Sequence, residues 1–323
     1  MEILAEKESE DKSSGLYKDR IIGKVEGKES GPVIIALAGL HGNEPTGIKA
    51  IEHVLEKIEG LEDKFRGTFI GLRGNLEALN KGERFIDEDM NRIWFTSILD
   101  KVRRTPFNEV QTAERRETKA VLEIIDPLIL NENKNEPVIF ADLHTFSSEN
   151  GLFAISSRER KNVDLLSKLN VPLIFGIEKA LHGTALKYIQ STGNIGFAFE
   201  AGMHFSESAE FNATAGLYAL LVAAGCLDES CILDFQAYED FLADQTAKLP
   251  KKVEFIYKHI IEEEDEFVMR KGFKNFDKVK KGDWLANDKL GKIEAQADGY
   301  ILMPLYQKQG NDGFFIVQDL NYS

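Results

Sequence analysis

The sequence predicts an α/β protein, with a mixed sheet flanked by helices and a smaller C-terminal β domain. Apolar runs of strand character at 33–38, 69–72, 138–143 and 197–200 alternate with helical periodicity at 46–58, 112–125 and 209–224. That alternation is the pattern of a layered α/β domain. After Pro250 the texture changes to short β-prone stretches at 253–260, 284–286, 300–303 and 314–317, separated by Gly272, Gly282, Gly291, Gly299, Gly310 and Gly313. Turn-punctuated strands of this kind predict a small β unit rather than further α/β repeats. The chain of 323 residues is 43% hydrophobic, enough for a real core and long for one compact domain. The expected organisation is a mobile tail over 1–15, an α/β domain over 16–250 and a β domain over 251–323.

The tail is rich in Glu, Lys and Ser and lacks a long apolar segment, so no conventional signal peptide is expected. The strand at 33–38 runs into a Gly-containing loop, and Pro45-Thr46 opens the helix over 46–58. A strand at 69–72 leads into a loop-like region containing Asn75, Asn80 and Gly82. Beyond the helix at 112–125 and the strand at 138–143, a short β addition at 151–155 suits a mixed sheet. The strand at 197–200 precedes residues 206–209, where a helix N-terminus close to the site is expected. No fixed-period repeat stands out, and the acidic cluster at 262–266 reads as a solvated loop.

The net charge of −14 argues against nucleic-acid or anionic-membrane partners, which need a basic face. No run approaches the ~20 apolar residues that span a bilayer, and the cytoplasm is the default expectation. Cys226 and Cys231 are too few for a disulfide scaffold and lack metal-ligand spacing, so free thiols are expected.

His41 and Glu44 carry the strongest chemical signal. They lie three residues apart directly after the run Val33-Ile34-Ile35-Ala36-Leu37-Ala38, where an imidazole and a carboxylate can clamp one divalent ion from a loop at a strand end. Hydrolytic zinc takes three protein ligands and keeps a fourth position for water. Of six histidines, His144 is the other that immediately follows an apolar strand-like run, in Ile139-Phe140-Ala141-Asp142-Leu143-His144. Ligands gather at such strand ends in open α/β sheets. His53 falls in a helix, His182 and His204 in loops, and His259 in a C-terminal strand.

At these residues the chain resembles the succinylglutamate desuccinylase and aspartoacylase group of zinc-dependent amidohydrolases, relatives of the zinc carboxypeptidases. The resemblance rests on His41-Gly42-Asn43-Glu44, on Arg84 to Arg92, on Asp142-Leu143-His144 and on Phe199-Glu200-Ala201-Gly202, four blocks in the family's order. It implies a zinc carboxypeptidase-like fold and one Zn2+ held by His41, Glu44 and His144. It further implies that Glu200 is the catalytic proton carrier, that Arg84 polarises the scissile carbonyl, and that Asn91 and Arg92 bind the substrate's carboxylate. A guanidinium fork matches a carboxylate bidentately, which suits that task. Without the resemblance, Glu200 reads as an ordinary strand-end carboxylate and the arginine block as a surface salt-bridge loop. Asp87 and Asp89 are expected to orient the arginines, and Asp142 to support a metal ligand.

One departure bears on the substrate. Where aspartoacylase-like relatives carry a further arginine upstream of the catalytic glutamate, this chain reads Lys187-Tyr188-Ile189-Gln190-Ser191-Thr192-Gly193. Gln190 is the candidate there, able to hydrogen-bond a carboxylate without charge, and Tyr306 is a candidate pocket residue from the C-terminal region. The resulting expectation is a zinc-dependent deacylase that hydrolyses the amide of a small N-acylated amino acid. A carboxypeptidase for short peptides and a non-catalytic metal-stabilised binding protein are the alternatives. Acyl group, amino acid and oligomeric state, a homo-oligomer included, stay open, and the C-terminal unit is expected to cover the pocket or to serve stability or assembly.

Overall fold

The computed structural model describes residues 17–131 and 136–320. The expected tail over 1–15 lies outside the described residues. Strands β1 (Ile21–Glu26), β2 (Glu29–Ala38) and β3 (Arg66–Arg73) enclose helix α1 (Thr46–Ile58) in sequence. Helices α2 (Leu76–Lys81), α3 (Thr96–Arg104) and α4 (Ala113–Ile129) lead to β4 (Val138–Phe146) and β5 (Phe153–Ser156). Next come α5 (Arg160–Leu166), β6 (Leu173–Phe175), α6 (Ile177–Ala180), α7 (Ala185–Ser191), β7 (Ile195–Met203), α8 (Glu207–Ala223) and α9 (Phe235–Thr246). The C-terminal part holds β8 (Lys252–Ile260), β9 (Val268–Met269), β10 (Lys278–Val279), β11 (Trp284–Asp288), β12 (Gly291–Glu294), β13 (Gly299–Leu302) and β14 (Asp312–Asp319).

Among the described residues, eleven strands form one mixed sheet in the order β1-β3-β2-β4-β7-β5-β6-β8-β14-β13-β10. Its centre, β3-β2-β4-β7, is parallel, and β5 runs antiparallel to β7. Strands β9, β11 and β12 form a separate small antiparallel sheet. The fold is therefore the α/β mixed sheet with flanking helices and a smaller C-terminal sheet that the periodicity predicts. The main sheet continues past Pro250, because β8 pairs with β6.

The strand period of two explains the two cores. Ile34, Ala36 and Ala38 of β2 pack with α1 and α8, while Ile35 and Leu37 face the layer containing α3, α4 and α7. Strand β4 is buried at every position, as a central parallel strand must be. Helix α1 comes unusually close to the sheet, and Gly47 permits it: a Cβ there would lie 2.8 Å from Leu143 Cβ and 2.9 Å from Ala38 Cβ. The segment expected as a loop around Asn75 to Gly82 is instead the short helix α2. Asn75 Oδ1 caps it by accepting from Ala78 N–H at 3.1 Å, and Gly82 ends it with φ 66°. Both signals are helix punctuation rather than loop composition.

Candidate active site

Three strand ends deliver the core of the site. The loop after β2 carries His41 and Glu44, and Gly42 lets that loop lie against α2, since a Cβ there would come within 2.2 Å of the Ala78 backbone. Strand β4 presents His144, and β7 presents Glu200 in direct register with it. Residues in register on adjacent strands point to the same face, so the imidazole and the carboxylate share one cavity. His41, Glu44, Arg84, Asn91, Arg92, His144 and Glu200 all line it.

The donor atoms converge. Glu44 Oε1 is 2.8 Å from His41 Nδ1, and Glu44 Oε2 is 3.0 Å from His144 Nδ1. Among the described residues, His41, Glu44 and His144 are the group of three whose potential ligand atoms all lie within 4.8 Å of one another. Two imidazoles and a carboxylate, all buried, form a donor set that suits zinc and leaves room for water. The far nitrogens are also held. His41 Nε2 lies 3.1 Å from Asp89 Oδ1, and Asn91 Nδ2 lies 3.3 Å from His144 Nε2. Asp142 Oδ2 is 3.0 Å from His144 Nε2, within ion-pair reach but off the hydrogen-bonding direction, since neither Asp142 oxygen has a hydrogen-bond partner. The carboxylate behind His41 fixes its ring orientation and strengthens the opposite nitrogen as a ligand.

Burial and charge set the protonation states. Burial pushes Glu44 upward, yet His41 and His144 outweigh it and hold the carboxyl well below its ordinary range. Burial likewise opposes charge on His144, but Asp142 and Glu44 raise its pKa well above 6.5. Glu200 moves the other way. Burial, with Glu44 and Asp142 adding to it, pushes its carboxyl up to about 8 against the partial relief of His144 and Arg84. Its Oε2 is buried without a hydrogen-bond partner. A carboxyl that titrates near neutrality is suited to taking and returning a proton.

The arginine loop is organised by Asp89, which the sequence pointed to, and by Glu114 and Asp312, which sequence reasoning missed. Arg84 donates to Asp89 Oδ2 through Nη2 at 2.9 Å and Nε at 3.2 Å, and its Nη1 is 3.6 Å from Glu44 Oε1. Asp89 thus serves both Arg84 and His41. Asp87 does not orient an arginine: its Oδ2 accepts from Ala113 N–H at 2.7 Å, at the start of α4. Glu114, fully buried, accepts the backbone N–H groups of Ile86, Asp87 and Glu88, which bends the loop around it. Arg92 donates to Asp312 Oδ2 at 2.7 Å, a partner from the other end of the chain. Asn91 Oδ1 accepts from Ala185 N–H at 2.9 Å, tying the loop to α7.

Two expected pocket residues are not brought to the cavity. Gln190 faces the start of β7, where its Nε2 donates to Gly196 O at 2.9 Å and lies 3.3 Å from Ser156 Oγ. The helical phase of α7 points Leu186 inward instead. The Tyr306 hydroxyl turns away to the carbonyls of Arg270 and Phe273, each at 3.0 Å. Its neighbour Gln307 lines the cavity and accepts from Asn43 Nδ2 at 3.0 Å. Ser206 caps α8 as a helix start, but it lines a separate hollow with Asn212 and Asn275. His204, expected in a loop, lies beside the site with Nδ1 2.7 Å from Thr145 Oγ1, and burial lowers its pKa. Cys226 and Cys231 are free thiols.

Comparison with known proteins accords with this geometry. A sequence model of the succinylglutamate desuccinylase/aspartoacylase catalytic domain matches residues 30–224. Curated succinylglutamate desuccinylases of Pseudomonas paraeruginosa and Pseudomonas fluorescens are 37% and 38% identical over 67 and 69 residues. Those matches span only 21% of this chain and 20% of the relatives' length. The product-bound ectoine utilization protein of Ruegeria pomeroyi superimposes with a TM-score of 0.63 at 17% identity, covering 90% of this chain and 87% of that one. The succinylglutamate desuccinylase/aspartoacylase of Rhodobacter sphaeroides gives 0.62 at 14% identity, with coverage of 93% and 88%. At such identities the structures establish a shared fold. The family match covers more than half of the sequence, and the chain belongs to the succinylglutamate desuccinylase/aspartoacylase family.

Proposed function

We propose that this protein is a zinc-dependent hydrolase that cleaves the amide bond of a small N-acylated amino acid. One observation carries the reading: the buried His41, Glu44 and His144 donors and the partnerless Glu200 carboxyl line the same cavity. When bound, zinc supplies Lewis acidity that polarises a carbonyl and makes water acidic enough to attack near neutral pH. His41, Glu44 and His144 would hold it. Glu200 takes the proton of the attacking water and returns it to the leaving nitrogen. Arg84, fixed by Asp89, stabilises the developing oxyanion, and Asn91 and Arg92 position the substrate's carboxylate. The unit over 251–323 covers the cavity, since Met303, Leu305, Gln307, Asp312 and Phe315 line it. The unit over 16–250 supplies the reacting groups.

The test is metal analysis of the purified protein, followed by a hydrolysis screen of acyl-amino acids against dipeptides. Activity is expected to vanish on chelation, to return with zinc, and to fall by orders of magnitude in Glu200→Gln while metal content persists. Unchanged turnover in Glu200→Gln, or no zinc uptake, refutes the assignment. Faster cleavage of dipeptides than of any acyl-amino acid would favour a carboxypeptidase. Among the described residues, no helix is long and apolar enough to cross a membrane.

A further inference from the structure

The segment 303–311, which joins β13 to β14, forms one wall of the cavity through Met303, Leu305, Gln307, Gly310 and Asn311. The C-terminal unit secures both of its ends. Leu305 N–H donates to Gly313 O at 2.9 Å, and Ile261 N–H donates to Asn311 O at 2.9 Å. The Tyr306 hydroxyl adds a tether to the carbonyls of Arg270 and Phe273. Between those ends, among the described residues, 306–310 form no backbone-to-backbone hydrogen bond. Such a stretch opens at low cost, so its position depends on the few polar groups that reach it. Four of these belong to the α/β part. Ser147 Oγ accepts from Tyr306 N–H at 3.1 Å, and Arg84 N–H donates to Gln309 Oε1 at 3.2 Å. Gln307 Oε1 accepts from Asn43 Nδ2 at 3.0 Å and lies 3.2 Å from His204 Nε2.

His204 is the most closely prepared of the four. Its N–H donates to Phe146 O at 3.0 Å, and the next residue, Phe205, is held at φ 60°, a left-handed conformation that bulky side chains rarely adopt. Strain of this kind persists where the surrounding structure makes use of it. An amide oxygen only accepts, so His204 Nε2 carries the proton and Nδ1 accepts from Thr145 Oγ1 at 2.7 Å. Burial lowers the pKa of the ring and keeps it in that neutral form. Thr145 N–H donates in turn to Glu44 Oε2 at 3.0 Å, so one chain of contacts runs from Glu44 to the segment. We propose, resting on the hydrolase reading above, that His204 is a positioning residue. With Asn43 it latches Gln307 and holds 306–310 closed beside bound substrate, and substrate and product exchange when that latch opens.

The experiment compares zinc-loaded wild type, His204→Leu, Gln307→Leu, the double variant and His204→Gln. Two readouts are taken: steady-state hydrolysis of a panel of Nα-acetyl amino acids, and the rate of trypsin cleavage after the exposed Lys308. Each single Leu variant is expected to raise KM about fivefold, the worth of one hydrogen bond, with kcat within about twofold of wild type and zinc content unchanged. Cleavage after Lys308 is expected to accelerate by a similar factor in both, because the latch sets the opening equilibrium. The double variant is expected to go no further than either single variant, and His204→Gln, which returns a donor to Gln307, to recover most of the wild-type KM. Additive effects in the double variant, or a cleavage rate in His204→Leu equal to that of wild type, overturn the inference while leaving the hydrolase reading intact. A fall in kcat and zinc content with KM unchanged also overturns it, in favour of a purely structural histidine. If His204→Leu does not fold, Gln307→Leu decides by the same two readouts. Faster cleavage in both variants of a protein that turns over no acyl-amino acid supports the latch and counts against the hydrolase reading.

Discussion

Glu114→Gln isolates the residue that holds the arginine loop. Glu114 Oε1 accepts from Ile86 N–H at 2.7 Å and Asn75 Nδ2 at 3.0 Å, while Oε2 accepts from Asp87 N–H at 3.0 Å and Glu88 N–H at 3.2 Å. The substitution preserves shape and volume, but it turns one acceptor oxygen into an amino group facing two N–H donors. Each buried donor left unsatisfied costs about 1–3 kcal/mol, so the loss is about 3–4 kcal/mol. At roughly 2 °C per kcal/mol for a chain of this size, the melting temperature falls by about 6–8 °C. The same loop carries Arg84, Asp89, Asn91 and Arg92, so kcat/KM for amide hydrolysis is expected to fall more than tenfold. Urea denaturation and steady-state kinetics on the same preparation make the test. A stability change within about 0.5 kcal/mol, the range of ordinary surface substitutions, with unchanged kcat/KM, would refute this account of the loop.

Gly47→Ala forces a Cβ into 2.8 Å contact with Leu143. A loss of about 1–3 kcal/mol by urea denaturation is expected from overpacking, despite the better helix propensity of alanine. Cys226, whose thiol burial pushes from an ordinary 9.0 up to about 12, should resist alkylation at pH 8 in the native state and react on unfolding. Because the folded state holds that proton more tightly, its contribution to stability is complete below pH 9.0 and is lost as pH rises towards 12. Native-state alkylation as fast as that of the denatured chain would contradict this burial. Asp312→Asn releases Arg92 and Lys258, and affinity for acidic acyl-amino acids should rise several-fold, read as a lower KM. No change would mean that Arg92 does not meet the substrate.

The central fold could be read early because its signals are local. The strand at 33–38, the helix at 46–58 and the strand at 138–143 each bury a continuous run or one periodic face, and their types follow from that pattern. His41, Glu44 and His144 were accessible for a related reason, since each sits at or just beyond the end of such a strand, whereas Glu200 was singled out only by the family resemblance. The helix at 76–81 is legible only from its Asn75 cap and Gly82 stop, because its composition is that of a loop. Gln190 and Tyr306 were misplaced because a helix's rotational phase and a hydroxyl's nearest carbonyl are settled by packing against distant segments.

Composition and periodicity by themselves determined an α/β layer and the strand ends where ligands would gather, and the resemblance of four short motifs determined the succinylglutamate desuccinylase/aspartoacylase family. They could do so because those properties depend on residues within a few positions of one another. Tertiary structure alone decided which charges meet. Asp312 reaches Arg92 across 220 positions, Glu114 holds the backbone of 86–88, and Glu178 is left with an open oxygen at the cavity wall. The electrostatic character of the pocket is a sum over long-range pairings, and such pairings exist only once the sheet has brought both ends of the chain together.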